Sequence, residues 1–110
     1  MRYVLSSLLA VALLASPAAF GADDPSFELS LKDHQFTPAQ LTIPAGKKVK
    51  LTVKNLDSTP AEFESHDFKA EKVIPAGKEG SLFIGPLKPG TYGFFDDFHK
   101  SSTTGTLVAE

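Results

Sequence analysis

The chain reads as an all-β domain of the sandwich or barrel kind. Apolar and polar residues alternate in several stretches, which is the period of a strand with one buried face. Proline and glycine recur about every ten residues and mark turns between short strands. No stretch keeps a helical period.

Phe27, Leu29 and Leu31 alternate with Glu28, Ser30 and Lys32 and predict a first strand. Leu41 and Ile43 lead into Pro44-Ala45-Gly46-Lys47, a turn with proline and glycine in favourable places. Val49, Leu51 and Val53 then alternate with Lys48, Lys50, Thr52 and Lys54, so the lysine face is expected in water. Pro75-Ala76-Gly77-Lys78 repeats the earlier turn; its flanks differ, so this is reused turn chemistry and not a duplication. Further strands are expected over Ser81 to Ile84, over Thr91 to Phe95 after Lys88-Pro89-Gly90, and over Thr106 to Ala109. Residues 62–74 stay open between a strand, a loop and one helical turn.

The 110 residues suit one domain. Arg2, the apolar run from Tyr3 to Leu14 with only Ser6 and Ser7 interrupting it, the break at Ser16-Pro17 and the small Ala19 and Gly21 form an export-leader pattern. The run is too short to cross a bilayer, and a transmembrane anchor is the rival reading. The expectation is a signal peptide over residues 1–21, cleaved off, and a domain over residues 22–110 with no membrane insertion of its own. With no cysteine, disulfides and a thiol nucleophile are excluded, and stability must come from a packed apolar core. Without Arg2, ten lysines face thirteen acids, interspersed and with no basic stripe, so nucleic acid is not an expected partner.

The densest polar stretch is Phe94-Phe95-Asp96-Asp97-Phe98-His99. Carboxylate oxygen and imidazole nitrogen are ligands for iron, copper(II), zinc or manganese, and a tight loop folds Asp96 and His99 onto one ion. The alternative is a solvated acidic turn. Glu62 and Glu64 share a strand face with Phe63 on the other, and by residue type alone they are surface carboxylates. His66 and Asp67 are loop polar groups, and His34, between Asp33 and Gln35, alone reads as a surface histidine. Hydrolase and transferase signatures are missing: there is no G-x-S-x-G elbow, phosphate-cradling glycine loop or H-E-x-x-H.

Phe36-Thr37-Pro38, Leu41 to Gly46 and Val49 to Asn55 resemble the opening of a cupredoxin domain. Gly90 to Asp96, His99 and Gly105 to Val108 resemble its closing half. The resemblance implies a Greek-key β-sandwich of about seven to eight strands. It sets Asp96 at the cysteine place of a blue copper site, His99 at the histidine place, Thr103 at the methionine place and Glu62 at or near the earlier histidine. Only His99 keeps the blue copper identity, and the sole methionine is Met1. A carboxylate cannot supply the copper–thiolate bond, so an oxygen-rich site for iron, manganese or non-blue copper(II) is implied. Ala61-Glu62-Phe63-Glu64 is similar to the acid–aromatic–acid segment of the EfeO-type cupredoxins of periplasmic iron uptake.

That likeness implies an iron or copper ion on Glu62, Asp96 and His99, with Asp97, Glu64 and His34 completing the site or forming a second one. It also implies a periplasmic location, ferrous iron binding or ferroxidase-like oxidation, and two partners: a periplasmic iron-transport protein and an inner-membrane FTR-type permease. Phe94, Phe95 and Phe98 are expected to dry the loop. Two rival readings are a metal-free sandwich that docks to a transporter and a copper electron-transfer protein.

Overall fold

The computed structural model describes residues 24–110, so the leader expected over residues 1–21 lies outside the described residues. Among the described residues, no helix is long and apolar enough to cross a membrane. Alternation becomes strand wherever one face is buried. The nine strands are β1 (Ser26–Lys32), β2 (Gln35–Thr37), β3 (Gln40–Ile43), β4 (Val49–Asn55), β5 (Ala61–Ser65), β6 (Ala70–Ile74), β7 (Glu79–Ile84), β8 (Gly90–Asp96) and β9 (Thr104–Ala109). A short 3-10 turn, Asp97–His99, separates the last two.

Two sheets pack face to face, in the orders β2-β1-β4-β7 and β3-β9-β8-β5-β6. β1 runs parallel to β4 and β3 parallel to β9, while the other pairs are antiparallel. This is the expected all-β sandwich, with nine strands where seven to eight were expected. The additions are short or exposed. β2 has three residues, too few to establish a period, and β6 turns Glu71, Lys72 and Val73 to solvent and so shows no alternating pattern. The uncertain stretch 62–74 is therefore a hairpin of β5 and β6.

β4 follows its sequence pattern: Val49, Leu51 and Val53 are buried and Lys50 is exposed. Those residues meet Leu29, Leu31, Ile43, Ile74, Ile84 and Leu107 in the core. Phe36, Phe63 and Phe94 pack there as an aromatic group, with centroids 5.1–6.2 Å apart. Gly105 on β9 makes room for them, since a Cβ there would overlap the Phe94 ring.

One buried polar residue ties the loops above this core. Asn55 is fully buried at the end of β4. Its Nδ2 donates to the Thr59 and Ile74 carbonyls at 2.9 and 3.1 Å, and its Oδ1 accepts from the Asp57 N–H at 3.0 Å. The side chain thus fixes the β4–β5 loop against the start of the β6–β7 turn.

Candidate metal centre

β8 ends at Asp96, next to Phe63 of β5 in the sheet. The alternation of β8 turns Phe94 and Asp96 to the same buried side. A carboxylate there needs partners. Asp96 is 1% exposed, and its Oδ1 accepts from the backbone N–H of Glu62 at 2.9 Å and of Phe98 at 3.0 Å. Its Oδ2 lies 3.1 Å from His99 Nδ1. Thr103, also buried, donates its hydroxyl to the His34 carbonyl at 2.8 Å. Asp96 therefore works as an anchor for the 3-10 turn and for the start of β5.

His99 stands beside His34, with ring centroids 4.1 Å apart. His34 sits in the two-residue turn between β1 and β2, where Asp33 and His34 both have positive φ, 51° and 59°. Asp57 holds this turn by accepting from the N–H groups of Asp33 and His34, and its carboxylate is 3.6 Å from His34 Nδ1. Burial pushes the Asp57 carboxyl upward. The N–H of His34, that of Asp33 and the two nearby imidazoles outweigh it, and hold the group below its ordinary value.

The second cluster lies on the outward face of β5. Glu62 and Glu64 straddle buried Phe63, as the two-residue strand period requires. Asp97, first residue of the 3-10 turn, joins them. Among the described residues, these three form the one set of three or more acidic or histidine side chains whose ligand atoms all lie within 4.8 Å of one another. Glu71 of β6 pairs with Glu64 across the hairpin, His66 Nε2 is 3.1 Å from Glu64 Oε2, and Lys100 reaches to 3.9 Å from Asp97. The hydrogen bond with the Glu71 carboxyl first, then burial and the nearby Asp97, raise the Glu62 pKa from 4.5 to about 7.

The six residues singled out in the sequence thus fall into two groups. Glu62, Glu64 and Asp97 come together on one face; Asp96, His99 and His34 gather at the loop end. The Glu62 carboxylate is not brought onto the Asp96–His99 pair; only its backbone N–H is. Phe94 is buried as expected, but Phe98 is 49% exposed and does not dry the loop. Sequence reasoning missed Glu71 and Asp57. The β5–β6 hairpin register would have found Glu71, while Asp57 carries no sequence signal beyond its place after a strand.

The raised Glu62 carboxyl has a consequence for the metal-free protein. Its folded pKa lies above the unfolded value, so the folded state binds the proton more tightly. Stability is full below the unfolded pKa and is lost as pH rises through about 7. In chelator, the thermal midpoint is expected to fall between pH 5 and 8 by more for the parent than for Glu62→Gln. High salt should shrink that difference, because the site is open to solvent. Equal slopes for parent and variant would count against the carboxyl cluster.

The family model of the cupredoxin-like domain matches residues 5–109. The chain belongs to the cupredoxin-like domain family. Over 81 residues this cupredoxin is 37% identical to an uncharacterized protein of Rickettsia prowazekii (strain Madrid E), a match covering 74% of the chain and 65% of the relative, just under two thirds of the relative's length. Among solved structures, it resembles auracyanin B at a TM-score of 0.67 with 16% identity, covering 80% of this chain and 91% of that one. It also resembles a purple cupredoxin from Nitrosopumilus maritimus at 0.58 with 21% identity, covering 79% and 100%. Amicyanin from Paracoccus versutus matches at 0.59 with 17% identity, covering 84% and 87%. These likenesses show the fold.

The residues present do not fit a blue copper ion. No cysteine exists in the chain, and Asp96 at its place already has its carboxylate filled by two backbone N–H groups and an imidazole. Thr103, at the methionine place, spends its hydroxyl on the His34 carbonyl. What this cupredoxin offers instead is carboxylate oxygen and imidazole nitrogen, donors for harder or borderline ions.

Proposed function

We propose that this cupredoxin is an exported, periplasmic metal-binding protein that takes up iron as cargo on Glu62, Glu64 and Asp97. The observation that carries the reading is the convergence of these three carboxylates within 4.8 Å on one sheet face. Glu71, opposite Glu64 in the hairpin, and His66, 3.1 Å from Glu64, are exposed neighbours that add one oxygen and one nitrogen donor beside the three carboxylates. Carboxylate oxygens suit iron in either oxidation state and favour the ferric form. A bound cation would also take the place of the proton that the Glu71 hydrogen bond, burial and Asp97 hold on Glu62. The likeness of Ala61-Glu62-Phe63-Glu64 to the EfeO-type segment supports iron acquisition, with a periplasmic iron-transport protein and an FTR-type permease as the partners.

Calorimetric titration with ferrous, ferric and manganous ions under controlled redox tests this. The double variant Glu62→Gln/Glu64→Gln is expected to lose iron affinity by about 100-fold, roughly two lost charged ligands at about tenfold each. Its metal-free form is expected to melt higher than the parent. Parental affinity in the double variant would end the proposal. Export and partner choice are tested separately, by fractionating cells and by pull-down of a membrane permease with iron-loaded protein.

A further inference from the structure

The two sheets end on four strands, and three of those edges are blunted. β2 has three residues, β3 has four and runs into Pro44, and β6 carries exposed Glu71 and Lys72. Short length, proline and charge are the devices that keep an open edge from pairing with another chain. β7, Glu79-Gly80-Ser81-Leu82-Phe83-Ile84, has six residues, no proline and no lysine, and its register against β4 is unbroken. Its inner face is left unfinished. Leu82 stands opposite Leu51, yet stays half-buried where Leu51 is 1% exposed. Phe83, on the outer face, is 58% exposed.

The pairing with β4 fixes which backbone groups of β7 are free. The Asn55 N–H donates to the Lys78 carbonyl at 2.8 Å, so this opposed pair is hydrogen-bonded. Antiparallel pairs alternate between bonded and unbonded, so Gly80, Leu82 and Ile84 also turn their N–H and C=O toward β4. Glu79, Ser81 and Phe83 turn theirs to the open side, where no strand lies. These three are evenly spaced about Ser81, which makes the edge complementary to itself. With two copies antiparallel and Ser81 facing Ser81, Glu79 of each copy faces Phe83 of the other, and all these pairs are of the bonded kind. The side chains agree with this register. Ser81 is small and its hydroxyl already meets that of Thr52 at 3.0 Å, so it does not obstruct the axis. Lys50 stands opposite Phe83 and Lys48 Nζ lies 5.0 Å from its ring centroid, so Glu79 arrives beside two cations of the second copy. Leu82 of each copy faces Gly80 of the other, where the Lys72 stem lies against the glycine and offers apolar cover.

We infer that β7 is a self-pairing edge: two copies of this chain join antiparallel about a two-fold axis at Ser81 and extend the β2-β1-β4-β7 sheet into one continuous sheet. Such a contact uses the same surface on both copies and closes on itself, so it stops at a dimer. A single strand pair falls at the low end of specific interface size, and the dissociation constant is expected on the order of 10–100 μM. The contact is made by the sheet that does not carry Glu62 and Glu64, and it does not rest on iron binding there.

Sedimentation velocity of the metal-free protein from micromolar to millimolar concentration tests this, with amide hydrogen exchange read at both limits. The expected result is a monomer–dimer equilibrium. The amides of Glu79, Ser81 and Phe83 should gain protection with concentration, while those of Gly80, Leu82 and Ile84 are protected throughout. Ser81→Pro is expected to weaken the dimer about 30-fold, because both N–H groups at the axis are lost. It takes no bond from the β4 ladder, so its circular dichroism and melting should stay close to the parent. Phe83→Glu should weaken the dimer by setting carboxylates opposite one another, and Glu79→Lys/Phe83→Glu should restore it, which reads out the register. Glu62→Gln/Glu64→Gln should dimerise as the parent does. A monomer at millimolar concentration, parental dimerisation in folded Ser81→Pro, or no rescue by the double variant would each overturn the inference. A monomer that binds a synthetic β7 peptide, read by the same three amides, would give the edge to extended peptides in place of a second copy and overturn it likewise.

Discussion

Replacing Asp96 by alanine is expected to destabilise the metal-free protein by about 3 kcal/mol, because buried N–H groups without an acceptor cost about 1–3 kcal/mol each. Two part-buried N–H groups, on Glu62 and Phe98, depend on Asp96 Oδ1. The 3-10 turn would lose its cap, and His99 its orienting partner. Asp96→Asn keeps an acceptor oxygen and should lose less. A residue that served only as a metal ligand would behave in the opposite way: removing its charge would leave the metal-free protein unchanged or more stable. Urea unfolding in chelator separates the two. A midpoint for Asp96→Ala within error of the parent, at equal slope, would show that the anchoring bonds contribute nothing.

Asn55→Ala is expected to cost about 2–4 kcal/mol, the range for breaking a buried network and leaving its carbonyls unpaired. The Thr59 and Ile74 carbonyls lose their donor, and the Asp57 N–H loses its acceptor. Asp57 in turn holds Asp33 and His34, so the damage should spread to the β1–β2 turn. Hydrogen exchange reads this directly: the His34 and Asp33 amides should lose protection along with the β4–β5 loop. Destabilisation without faster exchange at residue 34 would place Asn55 in the core alone.

The fold was legible wherever one face of a strand is buried. Val49, Leu51 and Val53 against Lys48, Lys50 and Lys54 announced β4, and the Phe27-Leu29-Leu31 pattern announced β1. β6 was not legible, because an edge strand with Glu71, Lys72 and Val73 in solvent has no apolar face to advertise. Glu62 and Glu64 were correctly set on one face by strand period alone. Their company was not, since Glu71 and Asp97 arrive from a hairpin register and a turn that local sequence does not specify. Asp96 was found by its place in the loop. Its saturation by backbone N–H groups was out of reach, because it depends on how β5 enters the sheet 34 residues earlier.

The parallel pairing of β3 with β9 has a consequence for how the chain acquires its structure. Leu41 finds its partner in Leu107, and Gln40 in Thr106. β8 pairs along its length with the same strand. The second sheet is therefore complete only once residues 104–109 have joined it. Such distant contacts make folding slow compared with helical domains of this size, since loop closure must precede any gain from pairing.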